Sequence, residues 1–414
     1  VIDLEQESRP FELVIEHYRR FEMSQDIVIV SAQRTPIGAF QGVLSPATAP
    51  QLGAAAIKGA VEKSGVAPEE IQEVIMGCVL SAGLGQAPAR QASLGAGLPK
   101  GVPTTTINKM CGSGMKAIMM AADQLRSGDI AIAVAGGLES MTNAPYLLPK
   151  ARSGMRMGHG EVLDHMFLDG LQSPFDGQMM GTFAEATAQK YGFSRADQDA
   201  FATESTQRAL KAVNSGAFAA EISPVTVKSR KGEVVVDKDE TPFTVDLAKI
   251  PTLKPAFRKD GTVTAASSSS ISDGAAAAVL MTDAEATRRG IKPLARILGY
   301  TSFAHEPEWF TTAPAGAIQK LLAKLGWKPG DAHLYEVNEA FAAVTMAAMK
   351  DIGFDHARTN VNGGACALGH PIGATGARLI ATLAHALRAR GGGRGIASLC
   401  IGGGEATAIA IEVP

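Results

Sequence analysis

Two cysteines, a histidine and an asparagine stand in glycine-rich or strand-end positions where they could do chemistry. Cys111 lies in Asn108-Lys-Met-Cys-Gly-Ser-Gly114, just ahead of Met115–Ala122, a run apolar on nearly all sides. Such a run reads as a helix buried all round. A cysteine at its opening meets unpaired backbone N–H groups and the positive end of the helix dipole, which favour a thiolate. The same placement also suits a small buried hydrophobe. His370 sits in Asn362-Gly-Gly-Ala-Cys-Ala-Leu-Gly-His-Pro-Ile-Gly-Ala-Thr-Gly376, opening a second apolar helix that includes Leu379–Ala386. It reads either as a histidine held by the turn or as a proton acceptor for a thiol. Cys400, in Ser398-Leu-Cys-Ile-Gly-Gly-Gly404, ends a strand and leads into backbone N–H groups that could hold an oxyanion. Asn338-Glu-Ala-Phe341 ends an earlier strand of the same half.

Other chemistries fit poorly. Cys366 and His370 are four apart, but Pro371 and the surrounding glycines disfavour a helical ligand pair, and no second Cys/His pair has ligand spacing. A metal is not expected. Neither a G-x-G-x-x-G after a strand nor a P-loop pattern is present. Lys and Arg number 39 against 41 Asp and Glu, for a net charge of -2, without a basic stripe for nucleic acid. Four cysteines (Cys78, Cys111, Cys366, Cys400) are too few for a disulfide framework and suggest a reduced, cytoplasmic chain. No apolar run approaches the roughly 20 residues that span a bilayer.

The elements that must position these residues alternate between strand and helix, the mark of an α/β protein. The pattern predicts a strand at Ile71–Met76, a helix at Gly112–Arg126 and a strand at Ile130–Ala135. One pattern occurs twice. Lys63-Ser-Gly-Val-Ala-Pro68, running on to Gly77, reads against Lys324-Leu-Gly-Trp-Lys-Pro329, running on to Asn338, at a constant offset of 261 residues. Gly112-Ser-Gly114 matches Ala374-Thr-Gly376 at an offset of 262. Ala135-Gly-Gly-Leu-Glu139 is expected to match Ile401-Gly-Gly-Gly-Glu405. Two copies of one unit, each with a buried helix, would pack those helices together in the middle with a sheet outside each. Residues 1–22 are too acidic for a transit peptide and lack the apolar stretch of a secretory signal, so they read as an extension outside the fold. The expected divisions are 23–140 for the first half, completed by 271–292, then an inserted loop domain at 141–270, and 293–414 for the second half.

Taken together, Asn-x-x-Cys-Gly-Ser-Gly around Cys111, Asn338-Glu-Ala-Phe, Gly-His370-Pro-x-Gly and Cys400-x-Gly-Gly-Gly resemble the thiolases. The resemblance runs from Met23 to the C-terminus and includes Gln33-Arg-Thr-Pro-Ile-Gly38 and Asp260-Gly-Thr-Val-Thr-Ala265. It implies a five-layered αβαβα fold and a homo-oligomer, a tetramer before a dimer. The implied reaction is the reversible condensation of two acetyl-CoA into acetoacetyl-CoA and CoA, without a further cofactor. Cys111 would carry the acyl group, activated by His370, with the acyl oxygen between the N–H groups of Cys111 and Gly402. Cys400 would remove or return the Cα proton. His370 and a water held by Asn338 would stabilise the enolate oxygen. Ser269, Met179, Met180, Ala340 and Phe341 would contact the CoA substrate.

The sequence departs from the family pattern in places. Cys366 stands for an aliphatic residue and Thr375 for a serine. Gln178-Met-Met-Gly181 replaces the His-Met-Gly of the biosynthetic branch. Phe243 falls where that branch has an arginine near the adenine, and Ser267–Ser270 replaces Asn-Ala-Ser-Gly. Two alternatives follow: a 3-ketoacyl-CoA thiolase of longer chain preference, which Met179 favours, and a non-catalytic acyl-CoA-binding relative. A ketoacyl synthase is disfavoured because those relatives lack the second cysteine.

Overall fold

The computed structural model describes residues 26–229 and 232–414; the expected extension at residues 1–22 lies outside them. Strand Ile27–Arg34 shows how the layers arise. Its side chains alternate faces, so Val28 and Val30 pack outward while Ile27 and Ile29 pack inward, and every residue is buried. Such a strand is covered on both sides. Outward lies helix Ala49–Ser64, started by a capping box between Thr48 and Gln51 and stopped by left-handed Gly65. Inward lie two helices, Ser113–Ser127 and Ile372–Arg388, whose apolar residues form one shared cluster with both halves of the sheet.

The strand order is Leu334–Val337, Gly393–Ile401, Glu405–Val413, Ala295–Ala304, Ile27–Arg34, Ser272–Thr282, Ile132–Ser140, Glu73–Gly77 and Thr104–Ile107. A tenth short strand, Gly38–Ala39, pairs with Ser272–Thr282. The first four strands form one half and the remainder the other. They are joined only where Ile27–Ile29 pairs antiparallel with Ala295–Ile297. One sheet thus wraps around the two central helices, where the sequence suggested two separate sheets. Helices Ala49–Ser64 and Pro88–Gly95 cover the half that contains Ile27–Arg34, and Ala313–Leu325 and Ala342–Ile352 cover the half that contains Leu334–Val337. The result is the expected αβαβα stack.

The repeat is visible in backbone detail. Helices Ala49–Ser64 and Ala313–Leu325 each end at a left-handed glycine, Gly65 and Gly326. Each is followed by a 3-10 turn and a strand that pairs in parallel with its neighbour. The strands Glu73–Gly77 and Ile132–Ser140 are displaced from the expected Ile71–Met76 and Ile130–Ala135. Ile71 is spent on closing the 3-10 turn, donating its N–H to Pro68. Gly136 and Gly137 lie inside a strand instead of ending one. A Cβ on Gly136 would lie 2.0 Å from the Ala276 oxygen, so these glycines mark close approach.

The glycine-cluster match needs correcting. Met76 pairs with Gly136 and Val337 with Ser398, which places Glu139 opposite Ile401. Gly402–Gly404 is instead the turn joining Gly393–Ile401 to Glu405–Val413.

Between Ser140 and Ser272 the chain leaves the sheet. It forms helices Met180–Tyr191 and Arg195–Ser215 and the hairpin Val225–Ser229 with Gly232–Val236. Ser194 and Asp197 make the capping box that starts the second helix. This segment is pinned to the sheet by Arg34, whose Nε meets Glu221 at 2.5 Å and whose Nη1 and Nη2 meet Asp239 at 2.7 and 2.9 Å. All three side chains are fully buried, so loss of Arg34 would leave two buried carboxylates without their cation.

The two central helices touch backbone to backbone. A Cβ on Gly376 would lie 2.4 Å from Met115 N, and one on Gly114 would lie 2.9 Å from Ala377 N. Gly376→Ala should therefore cost about 1–3 kcal/mol by overpacking. Gly101→Ala, where a Cβ meets nothing within 4 Å, should stay within about 0.5 kcal/mol. Paired thermal-unfolding curves check this, and equal midpoints for the two variants would refute the tight crossing.

Candidate active site

Cys111 sits on a strained turn. Met110 has a φ of +46°, rare for a residue with a side chain. The turn is fixed from three directions: Met110 N–H donates to Asn108 Oδ1 at 2.9 Å, Lys109 N–H to Ser113 Oγ at 2.8 Å, and Ser113 Oγ to the Met110 oxygen at 2.6 Å. Gly112 then caps helix Ser113–Ser127. The bare α-carbon of Gly112 admits the side chain of Ile401, the residue before the Gly402 turn. The backbone N–H groups of Gly402 and of Cys111 itself both reach the Cys111 sulfur.

His370 lies between left-handed Gly369 and Pro371, which caps helix Ile372–Arg388. Its Nδ1 is 2.6 Å from Thr375 Oγ1, and that hydroxyl donates to the Pro371 oxygen at 2.9 Å. With its proton so committed, Thr375 accepts from Nδ1–H, leaving Nε2 as the lone-pair nitrogen. Thr375 thus does more than pack. Nε2 is 3.5 Å from Asn338 Nδ2. Asn338 is wholly buried, donates its N–H to the Ser398 oxygen at 3.0 Å, and its Oδ1 has no protein partner. Its neighbours hold it rigidly. Glu336 accepts from Arg378 at 2.9 Å, and Glu339 accepts from Ser205, Asn360 and the Cys366 N–H.

Cys111, His370, Cys400 and Gly402 converge on one cavity of about 220 Å³, which Met179, Met180, Ser269, Ala340 and Phe341 also line. Every expected site residue is there except Asn338, which stands behind His370. The sequence reading missed most of the apolar wall, which includes Phe167, Leu171, Phe257 and Phe310. These come from three separate stretches, and nothing in their local spacing marks them. Phe243 is more than half exposed and is not part of the lining.

The thiols are not preformed thiolates. Burial pushes Cys111 up to about 11, outweighing the two N–H groups that favour the thiolate, and Glu139 pushes the same way. Cys111 keeps part of its surface open to the cavity, but its sulfur is densely enclosed. Even so it is the least raised of the four cysteines. Cys400 lies well above the usual thiol range, through burial and the nearby Cys111 sulfur. Burial, with Arg378 adding to it, drives His370 down to about 3. The resting pair is a neutral thiol and a neutral imidazole. The sequence suggested a helix-stabilised thiolate; desolvation wins instead.

Glu139 ties the two halves together beneath the site. It accepts from Val79 and Leu80 N–H at 3.0 and 3.1 Å and, across the interface, from Gly373 N–H at 2.9 Å. Burial raises it to about 7 against these donors.

Comparison with known proteins gives a consistent picture. The thiolase N-terminal domain family matches residues 27–284 and the thiolase C-terminal domain family residues 291–413. An acetyl-CoA acetyltransferase of Pseudomonas aeruginosa is 50% identical over 392 residues, 94% of this chain and 99% of that protein. Acetyl-CoA acetyltransferase A, mitochondrial, of Xenopus laevis is 50% identical over 389 residues, 94% and 92% of the two chains. The crystal structure of the Bacillus anthracis acetyl-CoA acetyltransferase superposes with a TM-score of 0.92 at 44% identity, covering 94% of this chain and 99% of the other. The Acat5 thiolase from Ascaris suum in complex with coenzyme A gives 0.90 at 43% identity, covering 94% and 100%.

The raised Cys111 thiol has a direct consequence for the free enzyme. Below its value of about 11 the thiolate fraction grows about tenfold per pH unit. Alkylation of Cys111 by iodoacetamide should climb with that slope from pH 7 to pH 10. A rate already level at pH 7 would show a standing thiolate–imidazolium pair.

Proposed function

The chain belongs to the thiolase family, and we propose from that premise how this cavity makes and breaks acetoacetyl-CoA as an acetyl-CoA C-acetyltransferase. The observation that carries the reading is the meeting of two thiols and a tautomer-fixed imidazole around the N–H groups of Cys111 and Gly402.

In the thiolysis direction, His370 Nε2 takes the Cys111 proton as the sulfur adds to the 3-keto carbonyl. The resulting oxyanion is held by the Cys111 and Gly402 N–H groups. Breaking the C2–C3 bond leaves acetyl-Cys111 and the enolate of acetyl-CoA. His370 and a water on Asn338 Oδ1 stabilise that enolate oxygen. The Cys400 thiol protonates the enolate carbon, and acetyl-CoA departs. The Cys400 thiolate recovers a proton from His370, and the neutral imidazole then takes the thiol proton of incoming CoA as its sulfur attacks acetyl-Cys111. The Cys111 thiolate released then recovers its proton from His370. A thiol whose pKa is raised suits Cys400 in both directions: it is a neutral acid at rest and a strong base once deprotonated. The non-catalytic reading has no support, since Cys111, Asn338, His370, Cys400 and Gly402 are all present.

Ser269, Met179, Met180, Ala340 and Phe341 are assigned to the pantetheine arm of CoA. Ser269 is set in place by its N–H on the Ala340 oxygen at 3.0 Å. All four cysteines are free, which fits the reducing cytoplasm, and no described helix is long and apolar enough to cross a membrane.

We further propose a homotetramer. Thr104–Ile107 is an edge strand, and the segment after Ser140 exposes Tyr146 at 67%, Met157 at 95% and Phe175 at 69%. An unpaired strand edge and large exposed apolar side chains support an interface with other copies of the chain. Light scattering on the purified protein should give four times the chain mass; a monomer would overturn this assignment.

Cys400→Ser should separate the half-reactions. Acetyl transfer from acetyl-CoA to Cys111 uses His370, so the acetylated Cys111 peptide should still form. Loss of acetoacetyl-CoA in the presence of CoA should slow by roughly 10²–10⁴-fold, the usual effect of losing a general acid–base group. Equal loss of both halves, or acetyl label on Cys400 or Cys366, would sink the assignment. A wild-type chain inert toward acetoacetyl-CoA would sink the activity itself.

A further inference from the structure

The two N–H groups that face the Cys111 sulfur come from different halves of the duplicated fold. Cys111 N–H belongs to the turn before helix Ser113–Ser127. Gly402 N–H belongs to the turn between strands Gly393–Ile401 and Glu405–Val413. That second turn has little to hold it. It is three successive glycines, Gly403 and Gly404 are both left-handed, and Gly403 is exposed. The turn is held at its far end, where buried Gly404 packs on His305 and Pro307 and its oxygen accepts from His305 N–H at 2.9 Å. An oxyanion site needs its donors fixed before charge develops. A bare triple-glycine turn carries the largest conformational entropy that a chain can offer there.

Two contacts bridge the turns directly. One is apolar: Ile401 packs over the missing side chain of Gly112. The other is an ion pair between Lys109 Nζ, two residues before Cys111, and Glu405 Oε2, three residues after Gly402. Lys109 is about a quarter exposed and Glu405 about a third, so the pair is partly shielded from solvent. The two contacts flank the pair of N–H donors. Glu405 also opens a strand, with its backbone paired to Ile401 and to Ala304. The carboxylate therefore stands on a fixed base and ties the loosely held Gly402 turn to the braced turn that carries Met110.

We propose that the Lys109–Glu405 ion pair positions the oxyanion site, fixing the Cys111 and Gly402 N–H groups relative to each other across the two halves. Neither side chain lines the reaction cavity, so both are positioning residues. The proposal rests on the reading of those two N–H groups as the oxyanion donors. Their geometry matters most while a tetrahedral oxyanion exists, so the pair acts chiefly on turnover, less on the resting thiol that the same N–H groups face, and leaves substrate binding alone.

The test uses Glu405→Gln, Lys109→Met and the charge-reversed double variant Lys109→Glu/Glu405→Lys. Removing an oxyanion donor outright costs about 10²–10³-fold, and loosening one should cost less. Each single variant should lower kcat for acetoacetyl-CoA thiolysis about 3–10-fold, with KM for acetoacetyl-CoA within about twofold. Iodoacetamide alkylation of Cys111 needs the thiolate but no oxyanion, so its rate should fall by less than kcat does. The double variant should recover at least about half of the lost kcat. Unchanged kcat in both single variants would overturn the proposal. So would alkylation falling in step with kcat, which would make the pair a support of the nucleophile alone. A double variant no better than the singles would remove the ion pair as the cause. An inert wild-type enzyme would instead sink the underlying oxyanion reading.

Discussion

The close crossing of the two central helices at Gly114 and Gly376 is the constraint on which the site depends. The helices carry the Cys111 and His370 turns at their N-termini, so the distance between the helix axes sets the distance between nucleophile and base. Any side chain at either glycine would meet backbone of the other helix. The same economy of volume continues outward. A Cβ on Gly137 would lie 2.0 Å from the Gly373 oxygen, and one on Gly373 would lie 2.7 Å from the Glu139 carboxylate. Interiors packed this tightly transmit a displacement instead of absorbing it. A methyl group in the crossing would therefore be felt at the cavity as well as in stability.

Such packing explains the electrostatics. Water is excluded so thoroughly that Cys111, Cys400 and His370 are all driven toward their neutral forms. A charge appearing during the reaction is then met by prearranged N–H groups and not by solvent. In the proposed mechanism the proton passes from Cys111 to His370 only as a thioester or ketone carbonyl receives the sulfur, an arrangement that would limit stray reaction of the free enzyme. Buried carboxylates near the site follow the same rule. Each accepts several donors, as Glu139 and Glu339 do, because an unmet acid at that depth would be costly.

Much of this could be read from the chain beforehand. The helices at Ser113 and Ile372 declared themselves by being apolar all round, and the 261- and 262-residue offsets gave the duplication. Cys111, His370 and Cys400 each sat at an element boundary within two residues of a glycine or proline, and Asn338 sat at a strand end. What the sequence hid is of two kinds. Contacts between distant segments left no local mark: the three-residue joint of Ile27–Ile29 with Ala295–Ile297, the reach of Glu139 to Gly373, and the walls supplied by Phe167, Phe257 and Phe310. Balances of opposing effects also stayed hidden. Helix dipole and N–H donors correctly predicted what favours a Cys111 thiolate, but the larger cost of burial depends on packing that a linear pattern does not contain.

Duplication alone would give two equivalent sites, and the structure shows why there is one. At an offset of 262, His370 falls opposite Asn108, whose side chain only braces the Met110 turn. Cys111 falls opposite Gly373, whose N–H meets Glu139. Cys400 falls opposite Leu138, which packs against the outer helix at Gly53. Asn338, at the strand end matched to Gly77, has its amide at His370, whereas Gly77 has no side chain and lets Ser113 come close. In every pair one copy holds a reacting group and the other a packing or turn residue. The difference follows from what covers each half. Helix Ala49–Ser64 lies directly over Leu138. Over Cys400 stand Phe183 of helix Met180–Tyr191 and Phe341, and the cavity opens among Met180, Phe341 and Cys400. The segment between Ser140 and Ser272 therefore decides which copy keeps room for a substrate. In the proposed mechanism one copy then supplies the nucleophile, Cys111, and the other supplies the imidazole, the second thiol and the amide.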